Sequence, residues 1–269
     1  MEENKDKKSA KEKLVGDFKE KQKNLKLNQM DLSECSKYQE LNGSWVIWLA
    51  ISAIILCFKN LYGGIALLIA SIIIFILYKK SPKNISATYF NLALDYIGND
   101  NMDKAKDALK KAIEVNPKNN IAYILLASIY YRNGDCEQTI ENLLKTDNIE
   151  DSKYSFIVGE CYFREEDYSN AIKYLNFVKY EKEDPMNEIK TVLLAKAYSF
   201  MKQYKKSINE FNKISNIKDQ LKGDKNEFDY CLAVAYLNLG QKKKALDILK
   251  DIYKEDNNYK DVESLLKEV

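Results

Sequence analysis

Apolar residues are distributed in two different ways along the chain. Residues 45–58 (WVIWLAISAIILCF) and 65–78 (IALLIASIIIFILY) are nearly continuous apolar runs, and the polar turn KNLYGG separates them. From residue 86 onward, apolar and polar residues instead recur at the spacing of amphipathic helices. The pattern predicts an all-α protein in which two apolar helices precede a series of amphipathic ones.

The two apolar runs predict a transmembrane helical hairpin at residues 42–80, with arms at about 42–58 and 61–78. A single helix over both runs would be about 50 Å long, which exceeds a hydrocarbon core of about 30 Å, so the chain must turn between them. Gly63 and Gly64 permit a tight turn there. Because each arm is short, an incompletely spanning re-entrant hairpin is the alternative.

Lysines around the hairpin predict its orientation. Lys59 lies alone in the turn, whereas five lysines flank the open end: Lys26, Lys37, Lys79, Lys80 and Lys83. This bias predicts that the N terminus and the C-terminal region are both cytoplasmic. Residues 1–41 are rich in lysine and acidic residues and predict a largely flexible tail, with a short coiled coil or interfacial helix as the alternative.

A helical unit recurs from Ser86 onward. With Ser86 as position 1, positions 4, 7, 8, 11, 20, 24, 27 and 32 hold Tyr89, Leu92, Ala93, Tyr96, Ala105, Leu109, Ala112 and Pro117. The same register fits units that start at Asn120, Ser152, Glu188 and Asn226. Position 11 is tyrosine in all five units (Tyr96, Tyr130, Tyr162, Tyr198 and Tyr236), and positions 8 and 20 hold small residues throughout.

This unit resembles the tetratricopeptide repeat, a helix-turn-helix of about 34 residues with the same pattern of aromatic, small and bulky positions. The resemblance implies an α-solenoid of about five repeats over residues 86–259, in which the small residues let paired helices approach closely. Residues 259–269 would then form a C-terminal capping helix. The departures from the pattern lie at position 4 in three units and at position 32, where only Pro117 is present.

The resemblance also implies a partner-binding face. In this family, positions 2, 5, 9, 12 and 13 of the first helix of each unit line a concave surface. The residues predicted to bind a protein or peptide partner are Phe90, Leu94, Ile124, Tyr131, Arg132, Phe156, Phe163, Arg164, Val192, Lys196, Phe200 and Tyr230. Apolar residues at helical spacing are also typical of a core, so packing between helices is the alternative. Phe90 and Leu94 replace the Lys and Asn with which some family members hold a C-terminal carboxylate, so that partner class is not indicated.

The only two arginines of the chain occupy the same repeat position. Arg132 lies in YYRNGD and Arg164 in YFREED, both at position 13. The repeat predicts that they are neighbours on one edge of the groove, where guanidinium groups could bind carboxylates or phosphates of a ligand. The alternative is local: each arginine caps its own helix or pairs with Asp135 or Asp167.

Composition excludes several classes of function. The chain has no histidine, and its five cysteines include no CxxC pair, so the sequence predicts no metal site, no cofactor and no enzyme activity. The net charge of +2 argues against a dedicated nucleic-acid binder. Abundant lysine, asparagine and isoleucine are typical of AT-rich bacterial genomes, so the predicted location is a bacterial cytoplasmic membrane.

Taken together, these features predict a membrane-tethered adaptor that binds a protein partner. The alternative is a structural subunit assembled through the hairpin, with Ala66, Ala70 and Ser71 as small packing surfaces.

Overall fold

The structure, a computed structural model, describes Gln39 and residues 44–147, 149–180, 185–214 and 225–269. These residues form thirteen helices and no strand, as the sequence pattern predicts. Apart from Gln39, the predicted tail at 1–41 lies outside the described residues. The chain divides into two compact units, Met1–Gln138 and Thr139–Val269.

The first unit contains two apolar helices followed by three helices of the repeat region. The helices are α1 (Ser44–Cys57), α2 (Leu61–Lys79), α3 (Pro82–Gly98), α4 (Met102–Val115) and α5 (Asn120–Arg132). Helix α1 packs against α2, and α4 packs against both α3 and α5. Helix α6 (Cys136–Leu143) begins in this unit and ends in the second.

Helices α1 and α2 form a tight hairpin with an apolar surface. Asn60 caps α2 by accepting the backbone N–H of Gly63 at 3.0 Å. Gly64 lies so close to α1 that a Cβ there would stand 2.5 Å from the backbone nitrogen of Cys57. The two glycines predicted to permit a turn are therefore both inside α2, and Gly64 permits the close approach of the two helices.

The outer surface of this hairpin is largely exposed hydrocarbon. Its exposed large side chains include Ile47, Trp48, Ile55, Phe58, Tyr62, Ile72 and Leu77. At the open end, the rings of Trp45 and Tyr78 make an edge-to-face contact, with centroids 6.0 Å apart. Among the described residues, α2 alone is both long and apolar enough to cross a membrane, with 19 residues and a mean hydropathy of 2.5. The transmembrane hairpin therefore stays a prediction.

The second unit is a run of antiparallel helices in which each packs on the next. The helices are α7 (Ser152–Arg164), α8 (Tyr168–Phe177), α9 (Pro185–Phe200), α10 (Tyr204–Lys213), α11 (Lys225–Asn238), α12 (Lys242–Glu255) and α13 (Val262–Glu268). Helix α9 contacts α7 and α11 as well as its sequence neighbours, so the helix pairs are stacked. Val262 of α13 is buried in a cluster with Leu249 and Ile252 of α12, so α13 covers the end of this unit.

The small-residue positions of the repeat are buried wherever they occur. At positions 8 and 20 the fully buried side chains are Ala93, Ala105, Ala127, Thr139, Ala171, Ala195, Ser207, Ala233 and Ala245. Gly159, at position 8 of the third repeat, contacts α8 so closely that a Cβ would lie 2.8 Å from Cγ of Leu175. A larger side chain at these positions would separate the two helices of a pair.

The turn between the paired helices has the same backbone in all five repeats. Position 15 has a positive φ each time: Asp100, Gly134, Glu166, Lys202 and Gly240. The N–H of position 16 then donates to the carbonyl oxygen of the position 11 tyrosine, at 2.8 to 3.0 Å. Asn101, Asp135 and Asp167 at position 16 also accept a backbone N–H of the next helix through their side chains.

The tyrosine at position 11 has a recurring neighbour. In the first, fourth and fifth repeats, a lysine at position 19 lies over its ring, with Nζ 5.1 to 5.8 Å from the ring centroid (Lys104 over Tyr96, Lys206 over Tyr198, Lys244 over Tyr236). This cation–π contact joins the end of the first helix to the start of the second.

Candidate partner-binding surfaces

The twelve residues predicted to bind a partner differ widely in exposure. Phe90, Ile124, Tyr131 and Phe156 are buried. Leu94, Phe163, Arg164, Val192, Lys196 and Tyr230 are half-buried, whereas Arg132 and Phe200 are exposed. The four buried side chains belong to the packing between helices, as in the alternative interpretation, and they present no surface to a partner in this structure.

Position 5 accounts for three of the four buried residues. Phe90, Ile124 and Phe156 all occupy it, and each is at most 3% exposed. The ring of Phe156 is covered by Tyr180, which follows α8, with centroids 6.2 Å apart. The sequence pattern of a single repeat does not reveal such a cover, because the covering residue comes from outside the helix pair.

An aromatic cluster in the second unit brings two predicted residues together. The rings of Phe163 and Phe200 have centroids 6.1 Å apart, and both contact Tyr168, the first residue of α8. Tyr168 is stacked on Phe200 at 4.7 Å. Phe200 remains 52% exposed, with Met201 beside it 40% exposed. These three residues form one aromatic cluster (Phe163, Tyr168 and Phe200), in which the ring of Phe200 offers an exposed apolar surface.

Lys196 and Tyr230, also predicted residues, belong to a charged cluster in the second unit. We call it the Glu227 cluster: Lys196, Glu227, Tyr230, Tyr259, Lys260 and Asp261. The carboxylate of Glu227 pairs with Lys196 at 3.5 Å and with Lys260, and it accepts the hydroxyl of Tyr259 at 2.8 Å. Burial raises the pKa of Glu227, but the two ammonium groups and the hydrogen bonds from Lys260 and Tyr259 outweigh it and lower the pKa to about 2.

Tyr230 extends this cluster towards the C-terminal helix. Its hydroxyl donates to Oδ1 of Asp261 at 2.7 Å, and Nζ of Lys260 lies 4.4 Å from its ring centroid. Burial, together with the Asp261 carboxylate, raises the pKa of Tyr230. Asp261 and Lys260 immediately precede α13, so the Glu227 cluster joins α9 and α11 to the end of the chain. The charged and polar groups of the cluster pair with one another, so we interpret it as a cluster that stabilises the fold.

The two arginines have different surroundings. Arg164 forms an ion pair with Glu160 one turn earlier in α7, and Glu160 is 1% exposed. Arg132 is exposed at the end of α5. Asp135 and Asp167, the acids of both motifs, accept the backbone N–H groups of Gln138 and Asn170 and cap the following helices. The predicted proximity of the arginines stays a prediction, because they belong to different units.

A polar contact that the sequence did not predict lies in the first unit. The side chain of Asn91 pairs with the backbone of Gln39, and the side chain of Asn119 pairs with the side chain of Gln39. Gln39 precedes the apolar hairpin, whereas Asn91 and Asn119 follow it. No local sequence signal relates residues that lie 52 and 80 positions apart.

Two segments of the chain match models of a known repeat. Residues 90–138 match one model of the tetratricopeptide repeat, and residues 230–256 match another. The chain carries tetratricopeptide repeats. The two matched segments contain the repeat turns at Asp100, Gly134 and Gly240. The resemblance to this repeat that was inferred from the sequence is therefore confirmed.

Solved structures with tetratricopeptide repeats share this fold. The crystal structure of MamA is 19% identical, covers 64% of this chain and 92% of its own, and gives a TM-score of 0.50. The crystal structure of YrrB, described as "a TPR protein with an unusual peptide-binding site", is 16% identical, covers 67% of this chain and 91% of its own, and gives a TM-score of 0.52. No curated protein matches the chain. Tetratricopeptide folds are typical scaffolds for protein interaction, and no comparison gives positive evidence of catalysis.

Proposed function

We propose that this protein is a membrane-tethered scaffold whose tetratricopeptide repeats bind a protein partner. The observation that carries the binding half is the aromatic cluster on α7, α8 and α9. Phe200 is 52% exposed although it lies at the end of a repeat helix and stacks on Tyr168. Exposed aromatic rings that are already held in place are effective anchors for a partner, because little side-chain freedom is lost on binding.

The partner that fits this surface is an amphipathic helix or an extended peptide with an apolar side chain. Phe200 and Met201, which are 52% and 40% exposed, offer the apolar contact. Repeat scaffolds bind such segments along the first helices of successive units. No cofactor, metal or nucleic acid enters this proposal.

The tether is proposed from the apolar hairpin and from its two ends. Helices α1 and α2 would measure about 21 and 28 Å at 1.5 Å per residue, and their exposed surface is hydrocarbon. Gln39, before α1, hydrogen-bonds to Asn91, after α2. This contact supports a placement of both ends of the hairpin on one side of a membrane, and so favours two crossings or none over a single crossing. With the lysine bias, the proposed location is the bacterial cytoplasmic membrane, with both ends cytoplasmic.

The alternative, a structural subunit assembled through the hairpin, receives less support from the small residues. Ser71 is buried, and its hydroxyl donates to the carbonyl oxygen of Leu68 within α2. It is therefore not available to a neighbouring membrane helix. Ala66 is exposed and Ala70 is half-buried, but two alanines alone are a weak packing surface.

Binding can be tested by comparing two exposed phenylalanines in the full-length protein. Phe200→Ala should abolish retention of a partner that copurifies from membranes with the wild-type chain. Phe177→Ala should retain it, because Phe177 is 48% exposed but lies outside the aromatic cluster. Equal retention by the two variants, measured by quantitative mass spectrometry, would reject the aromatic cluster as the binding surface.

The tether can be tested by labelling single added cysteines from each side of the membrane. Tyr62, 86% exposed at the closed end of the hairpin, is replaced by cysteine in one variant, and the exposed Asn99 of the repeats in another. Tyr62→Cys should react from outside intact cells, whereas Asn99→Cys should react only after permeabilisation. The wild-type chain measures the background from its own cysteines. Labelling of both variants only after permeabilisation would contradict the full crossing and favour a re-entrant hairpin.

A further inference from the structure

Asn91 recognises the main chain of Gln39. The N–H of Gln39 donates to Oδ1 of Asn91 at 2.8 Å, and Nδ2 of Asn91 donates to the carbonyl oxygen of Gln39 at 3.1 Å. The amide of one asparagine thus binds both polar backbone groups of one residue. These two groups point the same way when the chain is extended, as in the hydrogen-bonded pairs of a β-sheet. The contact therefore recognises an extended polypeptide and is independent of the side chain.

Asn119 recognises the side chain of the same residue. Nε2 of Gln39 donates to Oδ1 of Asn119 at 3.0 Å, and Nδ2 of Asn119 donates to Oε1 of Gln39 at 3.3 Å. This reciprocal pair requires a primary amide. A glutamate would present only acceptors to the Oδ1 of Asn119, and an asparagine would be one methylene shorter.

The orientation of Asn119 is set by groups of the first repeat. Its Nδ2 also donates to Oγ of Ser86 at 2.9 Å, and that hydroxyl donates to the carbonyl oxygen of Ala112 at 2.6 Å. Its Oδ1 also accepts the N–H of Ala122 at 3.3 Å. Asn119 is 7% exposed and Ser86 is fully buried. With Gln39 in place, both donors and both acceptor positions of Asn119 are used.

We infer that Asn91 and Asn119 form a clamp for glutamine in an extended polypeptide, and that Gln39 of the same chain occupies it. The clamp is preformed, because Asn119 is held by groups other than Gln39: by Ser86, which is bonded in turn to Ala112, and by Ala122. Removal of Gln39 frees one donor and one acceptor of Asn119, while Ser86 and Ala122 still fix the side chain in the orientation that accepts an amide. A partner that binds this face of the first repeat must displace Gln39 and is expected to carry a glutamine itself.

This inference shares the Gln39–Asn91 contact with the argument for the tether, but its test involves neither the aromatic cluster nor a membrane crossing, so the two can fail separately. Its test is hydrogen exchange of the Gln39 amide in the full-length protein in detergent micelles, resolved to single residues by mass spectrometry. In the wild-type protein this amide should exchange on the order of 10-fold more slowly than an unstructured amide, since it donates to Asn91.

Three variants separate the parts of the clamp. Asn91→Ala should bring the exchange of the Gln39 amide close to the unstructured rate, because it removes the acceptor of that N–H. Asn119→Ala should accelerate it by a smaller factor, because it removes only the side-chain pair. Asn99→Ala is the matched control, since the Asn99 side chain donates only to Asp95 of its own helix in the described structure, and it should change nothing. A wild-type amide that exchanges at the unstructured rate, or equal effects of Asn91→Ala and Asn99→Ala, would overturn the inference.

The preference for glutamine is tested with a competing peptide. The synthetic peptide acetyl-Lys-Tyr-Gln-Glu-Leu-amide repeats the local sequence around Gln39. A tethered segment acts at an effective concentration on the order of 1 mM, so the peptide is used at roughly 10 mM. It should accelerate exchange at Gln39 of the wild-type protein by several-fold, and the same peptide with Glu in place of Gln should not. Equal competition by both peptides would contradict the role of Asn119.

Discussion

Glu227→Gln should loosen the C-terminal part of the second unit. The substitution keeps the size of the side chain but removes the charge that pairs with Lys196 and Lys260. Lys196 is only 11% exposed, so its ammonium would be left without its counter-charge in a poorly hydrated place. The hydrogen bond from Tyr259 would also be weakened, because a neutral amide oxygen is a poorer acceptor than a carboxylate.

The magnitude follows from the pKa of Glu227. A fall from 4.5 to about 2 corresponds to about 3 kcal/mol of stability at neutral pH. Because the folded pKa lies below the unfolded value, this contribution is fully present above about pH 4.5 and is lost as the pH falls towards 2. At pH 7, Glu227→Gln should therefore reduce hydrogen-exchange protection in α11 and α13 on the order of 100-fold, and the difference from wild type should shrink in acid.

The matched control is Glu263→Gln, in α13 itself. Glu263 pairs with Lys267 four residues later, but both side chains are more than half exposed, so its loss should have no measurable effect on exchange. The reasoning is refuted if Glu227→Gln and Glu263→Gln behave alike at pH 7. It is also refuted if the effect of Glu227→Gln is the same at pH 7 and at pH 3.

Two further predictions concern packing within the repeats, both measured as the free energy of unfolding in urea. Gly159→Ala should destabilise the protein by about 1 kcal/mol, because the new methyl group would overlap Leu175 at a cost that exceeds the gain in helix propensity. Gly98→Ala is the control: nothing lies within 4 Å of the new Cβ, so this variant should be neutral or stabilising. Phe211→Ala should cost about 3 to 5 kcal/mol, since Phe211 is fully buried, and the half-exposed Phe200→Ala about 1 kcal/mol. Equal costs within either pair would contradict the corresponding argument.

The repeat could be predicted from the sequence because its determinants are local and steric. Positions 8 and 20 hold small residues that prove to be buried at the contact between paired helices, from Ala93 in the first repeat to Ala245 in the fifth. A volume limit of this kind is visible in one sequence, since any large residue would be excluded. The backbone carbonyl of position 11 closes the turn in every repeat, which any residue type could do. What is particular to tyrosine there is its ring, over which a lysine lies in three repeats.

The turn itself gave a weaker signal. Position 15 has a positive φ in every repeat, yet only Gly134 and Gly240 are glycines there. Asp100, Glu166 and Lys202 adopt the same conformation because the hydrogen bond from position 16 to position 11 holds the turn closed. The residue type at position 15 therefore does not mark the turn, and its place follows only from the spacing of the repeats.

The surfaces for binding could be predicted only in part, because exposure depends on residues distant in sequence. Tyr180, which packs on the ring of Phe156, belongs to the segment after α8. Glu227 and Lys260, which form an ion pair, lie 33 positions apart. Phe163 and Phe200 were predicted as separate contacts of two repeats, whereas Tyr168 joins them into one cluster. Contacts of this kind arise from stacking and leave no periodic pattern in the sequence.

The position of the tryptophans makes the hairpin observable by itself. The chain has two tryptophans, Trp45 and Trp48, and both lie in α1. Fluorescence excited at wavelengths that only indole absorbs therefore reports on the apolar hairpin and is silent about the repeats. The emission maximum of the unmodified protein, with and without lipid vesicles, would follow the solvation of this one helix, and Trp45, in contact with Tyr78, marks its open end. A single optical signal can thus follow membrane insertion while circular dichroism follows folding of the whole helical chain.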